Sequence, residues 1–212
     1  MPEREFHMLA GAKQSARRIL GRLRYRYASR TVRQKQKGDP NMDFFDVVKL
    51  RRSVRAFAGR GLEEDKLRII LESTNRAPSA GNSQAYEIYV VRRPADRKAL
   101  AKAALGQDYV AEAPVSLVFC VQPGRLSARY GERGRRLYAL QDATIACTFA
   151  MLAATALELA TVWIGAFRDD EVQRVIGVPQ DVVPVAILPI GYQGEFPAAT
   201  PRRVIADLVH EI

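Results

Sequence analysis

Histidine is scarce in this sequence. Of 212 residues only His7 and His210 are histidines, one near each end, and neither lies in a motif. A Ser-His-Asp or Cys-His site would need one of them as its base, so hydrolytic nucleophile chemistry is disfavoured. Cysteine is equally sparse. Cys120 and Cys147 each sit in an apolar run with no second Cys or His nearby. Metal-ligand spacing is therefore missing, and two reduced core thiols of a cytoplasmic protein are the expectation. Neither GxGxxG nor a GxxxxGK phosphate loop occurs, which removes those two nucleotide-binding signatures. Long apolar runs are lacking too. Ala143 to Leu157 carries no charge, but these 15 residues fall short of the roughly 20 that a bilayer core demands. Their Ala and Thr content suits a buried helix.

What is present suits one globular domain: 48% of the residues are apolar and 26% charged, enough to bury a sizeable core. The net charge of +10 is unevenly spread. Residues 1–40 hold eleven Lys or Arg against three acids, so +8 of the +10 lies there. The basic character belongs to an N-terminal extension, residues 1–41, and not to the domain expected over 42–212. Within the extension, residues 7–27 have Met8, Ala12, Ala16, Ile19, Leu20, Leu23 and Tyr27 at helical spacing, and Gly38-Asp39-Pro40 reads as a linker. Four readings stand side by side: a helix for anionic lipid surfaces, a targeting arm, a solvated partner helix, or sequence upstream of a true start at Met42. The domain is expected to fold without it.

Along the domain, hydrophobic periodicity predicts helices at 43–50, 63–76, 95–105, 137–159 and 169–176, the last closed by Gly177. Strands are expected at 86–92, 115–121, 162–166 and 183–190. The continuous apolar run Val115–Val121 marks a strand covered on both faces. Phe44, Val47 and Val48 form the apolar face expected to dock the first helix. No internal repeat is visible.

Four short segments could carry chemistry. Arg51-Arg52-Ser53-Val54-Arg55 places three guanidinium groups and a hydroxyl in five residues. In an extended stretch, Arg51, Ser53 and Arg55 share one face, and the planar fork of arginine matches phosphate oxygens. The plain alternative is a solvated basic turn. Ala77-Pro78-Ser79-Ala80-Gly81-Asn82-Ser83-Gln84 follows a helix stop with small residues and carboxamides, which can donate and accept along the edge of a heterocycle; it also reads as a polar turn. Trp163-Ile164-Gly165-Ala166-Phe167 ends a strand, where glycine permits unusual backbone angles and close approach, or simply turns the chain. Pro201-Arg202-Arg203 is a basic pair that would ordinarily be surface.

Taken in order and spacing, these segments resemble the nitroreductase superfamily of FMN enzymes. MDFFDVVKLRRSVRAF resembles the start typical of that family and RAPSAGNSQ its second motif; AEAPVSLVF, IGAF, LPIGY and PRR also fit. The likeness covers about residues 42–212, and the first two motifs are its specific part. It implies an α+β fold with a central, mostly antiparallel sheet flanked by helices, and a homodimer with FMN at the interface. By the same resemblance, Arg51 and Ser53 would bind the FMN phosphate, with Arg52 helping and Arg203 and Arg202 completing the site. Arg55 would lie near the pyrimidine edge. Pro78, Ser79, Asn82 and Gln84 would line the flavin from the partner subunit. Gly165 and Ala166 would offer a backbone N–H to flavin N5, and Gln107 would contact the N3/O2 edge.

The implied activity is hydride transfer from NADH or NADPH through FMN to an oxidised small molecule, a nitroaromatic, quinone or relative, in a ping-pong cycle. The cofactor carries such chemistry, so no protein acid, base or nucleophile is required. Two departures are visible: Ala85-Tyr86 follows NSQ where the family often has Pro and an aromatic, and the domain is short, which points to reduced lid helices. Two other readings are a specialised flavin dehydrogenase or reductive dehalogenase acting on a defined metabolite, and a basic membrane- or nucleic-acid-surface adaptor. No nucleic-acid binding is expected, because the basic residues lie outside the domain; weak membrane-surface contact through 1–41 remains open.

Overall fold

The computed structural model describes residues 42–212; the expected basic helix at 7–27 and its linker lie outside the described residues. Residues up to Ala198 form one compact unit, and Ala199–Ile212 belongs to another.

The larger unit begins with α1 (Phe44–Leu50), started by Asp43, whose carboxylate accepts from the N–H groups of Phe45 (2.8 Å) and Asp46 (3.1 Å). This N-cap occupies two of the donors that a helix start leaves unpaired. α2 (Glu64–Thr74) has acids in its first turn, where the macrodipole favours them. Then follow β1 (Tyr86–Val91), α3 (Pro94–Ala103), the single turn α4 (Tyr109–Glu112), β2 (Val115–Val121), α5 (Gly124–Arg133), a π-helical turn (Gly134–Tyr138), α6 (Ala139–Ala156), β3 (Ala160–Thr161), α7 (Asp169–Ile176) and β4 (Val183–Gly191). Gly177 closes α7 in the left-handed conformation, φ 70° and ψ 40°, as expected of a C-terminal glycine.

The four strands form one sheet in the order β1-β2-β4-β3, with antiparallel pairing throughout. β2 is central and buried along its whole length. Its alternation feeds two cores. Leu117, Phe119 and Val121 pack with Ala143, Ala146, Cys147 and Ala150 of α6 and with Leu67 and Ile70 of α2. Val118 and Cys120 pack on the opposite face with Leu100, Val110 and Val172. Helices therefore cover both sheet faces, which is why the β2 sequence is continuously apolar instead of alternating. Burial pushes the Cys120 thiol up to about 12 and moves the Cys147 thiol the same way, which suits packing groups more than reactive thiols.

Three elements differ from the sequence expectation. The strand expected at 162–166 is the two-residue β3 upstream, followed by one isolated bridge between Ile164 and Ile187. The apolar pattern there reflects burial of Val162 and Ile164, not a continuous ladder. α5 and its π-helical turn were not anticipated, because Gly124, Gly131 and Gly134 interrupt a segment whose only fully buried apolar side chain is Leu126. By length and composition the helical run Gly124–Ala156 could cross a membrane, a longer run than the uncharged stretch alone. Its first half, however, carries five arginines, and the buried face of α6 packs on the sheet. Finally, α1 buries only Val47; Phe44 and Val48 are exposed, with Phe45 and Leu50 beside them.

In the closing segment, Ile205–Asp207 forms a 3₁₀ turn, and Val204, Ile205, Leu208 and Val209 are exposed.

Candidate functional site

The chain leaves α1 at Arg51, whose N–H closes on Val47 O at 3.0 Å. It then runs extended: Ser53 bridges Thr161 of β3, Val54 N–H donates to Thr161 O (3.0 Å), and Ala58 N–H donates to Tyr192 O (2.9 Å). Val54 and Phe57 turn inward onto Ala113 and Ala160, with Tyr109 packed against them. Arg51 and Ser53 are half-buried and Arg55 is exposed. The Oε1 of Glu195 accepts from the Arg55 N–H at 2.6 Å, fixing the far end of this stretch. Arg52 is different. Its Nη1 donates back to Lys49 O (2.5 Å) and Arg51 O (2.9 Å), so its guanidinium caps the carbonyl end of α1.

Gln107 and Ala166, distant in sequence, are joined. Gln107 Nε2 donates to Ala104 O (2.8 Å) and Ala166 O (3.1 Å), while the Tyr109 hydroxyl donates to Gln107 Oε1. Tyr109 is also the aromatic packed on Val54 and Phe57. One chain of contacts thus links residues 53–57, Tyr109, Gln107 and the 165–166 turn. Gly165 and Ala166 are exposed. A Cβ at Gly165 would meet only Trp163 Nε1 at 3.6 Å, and Gly165 has no left-handed φ. The unusual backbone angle expected there is not used, so what this glycine leaves at that position is open space.

The second motif forms a separate group over the first turn of α6. Gly81, Asn82 and Gln84 have φ of 54°, 56° and 41°, a run of left-handed residues that persists only where its surroundings hold it. Asp142, 2% exposed, supplies much of that hold. Its Oδ1 accepts from Ala80 N–H at 2.9 Å and its Oδ2, more weakly, from Ala85 N–H at 3.4 Å. Gln84 turns its amide onto its own loop, donating to Asn82 O (2.7 Å), Asn82 Oδ1 (2.6 Å) and Ser79 Oγ (3.2 Å). α5 docks on this loop through Arg129 Nη1, which donates to Gly81 O at 3.2 Å. A Cβ at Gly81 would run into the Arg129 guanidinium and the Tyr130 hydroxyl, so glycine serves both φ and close approach.

Two clefts flank Leu140. One, of about 740 Å³, has Pro78, Ser79 and Ala80 facing Tyr130 and Tyr138, with Asp142, Thr144 and Ile145 also along it. The other, of about 340 Å³, includes Gly165, Phe167, Arg135, Arg136 and Asp169. Arg202 and Arg203 lie in the closing segment, where they bond to Thr200 Oγ1 (2.8 Å) and Asp207 O (2.7 Å) respectively. Among the described residues no group of three or more His, Cys, Asp or Glu is arranged to hold a metal.

Sequence reasoning missed Asp142, Glu195 and the Tyr109–Gln107 link. The one available signal was for Asp142, the sole charge in an otherwise apolar helix.

The profile of the Nitroreductase family matches residues 48–108 and 101–192. An NADH dehydrogenase of Thermus thermophilus is 32% identical over 183 residues, covering 74% of this chain and 89% of that protein. An FMN reductase [NAD(P)H] of Bacillus subtilis is 30% identical over 164 residues, covering 71% of this chain and 66% of that protein. Among solved structures, the hypothetical oxidoreductase YcnD from Bacillus subtilis superimposes with a TM-score of 0.74 at 28% identity, over 80% of this chain and 74% of that one.

Proposed function

The chain belongs to the nitroreductase family, and from that premise we propose that it is an FMN-dependent NAD(P)H oxidoreductase acting on oxidised small molecules such as nitroaromatics or quinones. The observation that carries this reading is the contact chain from Val54 through Tyr109 and Gln107 to Ala166, which brings the phosphate-type motif and the strand-end turn into one framework. The donor set suits FMN. Half-buried Arg51 and Ser53 and exposed Arg55 offer charge and hydroxyl to a phosphate, and the Oγ1 of Thr161, buried and unpaired, adjoins Ser53. With its side chain committed to α1, Arg52 would contribute through its backbone. Gln107 orients the 165–166 turn by holding Ala166 O, and this leaves the exposed turn to present an N–H to the ring. Pro78, Ser79, Asn82 and Gln84 would line the ring.

When bound, FMN would supply the redox chemistry that links NADH or NADPH to the acceptor. The protein binds, orients and excludes water around it. The purified protein is expected to be yellow with non-covalent FMN. Arg51→Ala should weaken FMN by one to two decades, the worth of a charge-assisted contact of roughly 1.5–3 kcal/mol, while leaving riboflavin affinity little changed. Equal losses for both ligands in fluorescence titrations would remove Arg51 from the phosphate site, and a colourless protein that takes up no flavin would end the FMN reading.

The same reading includes a homodimer with residues 78–84 serving the partner's flavin, and a cytoplasmic location. Support for the dimer comes from the exposed Phe44 (64%) and Phe45 (51%) of α1 and the half-covered Ile145, Phe149 and Leu152 of α6. Apolar surface on adjoining helices is covered in most soluble proteins. Light scattering at low micromolar concentration should give twice the chain mass; a folded, FMN-loaded monomer would refute the shared site.

A further inference from the structure

Residues 124–138 hold five arginines and one acid, Glu132. Three of the five have a carboxylate partner. Arg125 pairs with Glu87 at 2.7 Å, and Arg135 (2.9 Å) and Arg136 (3.3 Å) share Glu132. Arg129 and Arg133 have no carboxylate partner among the described residues. Each stands beside one of the two tyrosines that line the larger cleft. Arg129 stands 5.2 Å from the Tyr130 ring centroid, and Arg133 stands 5.7 Å from that of Tyr138 while its Nε donates to the Tyr138 hydroxyl at 3.1 Å. The two rings meet edge to face, 5.4 Å apart.

We propose that this cleft receives the electron acceptor, and that Arg129 and Arg133 select acceptors that are planar, aromatic and negatively charged. The proposal rests on the reading above, in which FMN lies against Pro78 and Ser79. The walls are largely apolar, with Pro78 and Ala80 opposite the tyrosine pair and Leu140 and Ile145 beside them. Such walls take a flat ring. Asp142 lines the same cleft, but it is buried and its two oxygens already accept from Ala80 and Ala85 N–H. The exposed charges beside the tyrosine pair are the guanidinium groups of Arg129 and Arg133. A solvated helix face would show the compensation seen at Arg125, Arg135 and Arg136; here each wall ring carries an uncompensated guanidinium. A carboxylate, sulfonate or phosphate on the acceptor would meet the Arg133 guanidinium at the hydroxyl end of Tyr138, with Arg129 behind Tyr130.

The test uses the FMN-loaded enzyme with 4-nitrobenzoate and 4-nitrobenzyl alcohol, which share ring and nitro group and differ in charge. The wild type should favour the anion by about tenfold in kcat/KM at low ionic strength, the scale of one charge-assisted contact, and added salt should shrink that preference. Arg133→Gln should bring the ratio towards one and Arg133→Glu should invert it. Benzoate, which accepts no electrons, should perturb the flavin absorption band with a Kd that rises in the same order. A ratio near one in the wild type overturns the proposal, as does a ratio indifferent to salt and to Arg133→Glu. If Arg133→Gln instead raises KM for NADH or NADPH and leaves the acceptor ratio intact, the charge serves the donor and the assignment is wrong. A yellow, active enzyme without charge preference overturns this inference alone, whereas a flavin-free protein overturns the FMN reading with it.

Discussion

Phe119→Ala is expected to lower the free energy of unfolding by about 3–5 kcal/mol, the usual range for truncating a fully buried aromatic. Phe119 has no exposed surface, lies midway along the central strand and packs in the cluster that seats α6 and α2 on the sheet. Its surroundings cannot readily collapse into the gap. β2 is paired on both edges, and its pairing with β4 already shifts register between Phe119 and Cys120. Against a typical total of roughly 5–15 kcal/mol, much of the population would unfold on mild heating. Urea denaturation followed by far-UV circular dichroism measures the change. A loss below about 1 kcal/mol would mean that α6 and the sheet close up around the vacancy.

Asp142→Ala should cost roughly 3 kcal/mol, by a different route. Two N–H groups, those of Ala80 and Ala85, would lose their acceptor, and buried donors left without one are costly. The long contact to Ala85 sets the lower part of that sum. The larger consequence is local. The clamp bounds the segment containing Gly81, Asn82 and Gln84, whose left-handed angles cost of order 1–3 kcal/mol each outside glycine. Released, that segment would relax, and flavin affinity should fall along with stability. Asp142→Asn keeps one acceptor oxygen but faces the other N–H with its own donor, so it should recover about half of the loss. Amide exchange at Ala80 and Ala85 reports the clamp directly; unchanged protection in Asp142→Ala would show that the loop holds itself.

Much of the framework was legible in the sequence because its signals are local. The apolar runs of β2 and β4, the acidic first turn of α7 and its terminal Gly177 each declare themselves within ten residues. The antiparallel sheet with flanking helices and the family follow the resemblance carried by the first two motifs. The misses are non-local. Nothing near Asp142 reveals that its partners are backbone groups 57 and 62 positions away. Arg51 and Arg52 are adjacent and chemically alike, and only the fold decides that Arg52 turns back onto the carbonyls of α1. α5 escaped notice because it presents little apolar face and its Gly131, at φ 56° and ψ −146°, breaks the periodicity on which recognition depends. Gln107 entered through the resemblance alone, since its long-range partner, Ala166 O, sits on a turn 59 positions later.

Leu140 belongs to both clefts, as the side chain between the Pro78–Tyr130 cleft and the Gly165–Arg135 cleft, and it is 45% exposed. Its place in both linings suits a partition. A smaller residue here would open one space into the other and admit longer molecules; a bulkier one would narrow both together. Because the partition is outside the packed interior, its size can drift without endangering the fold. The breadth of molecules admitted can therefore change by single steps at one position while the framework beneath stays fixed, which makes this site a natural point of divergence among related chains.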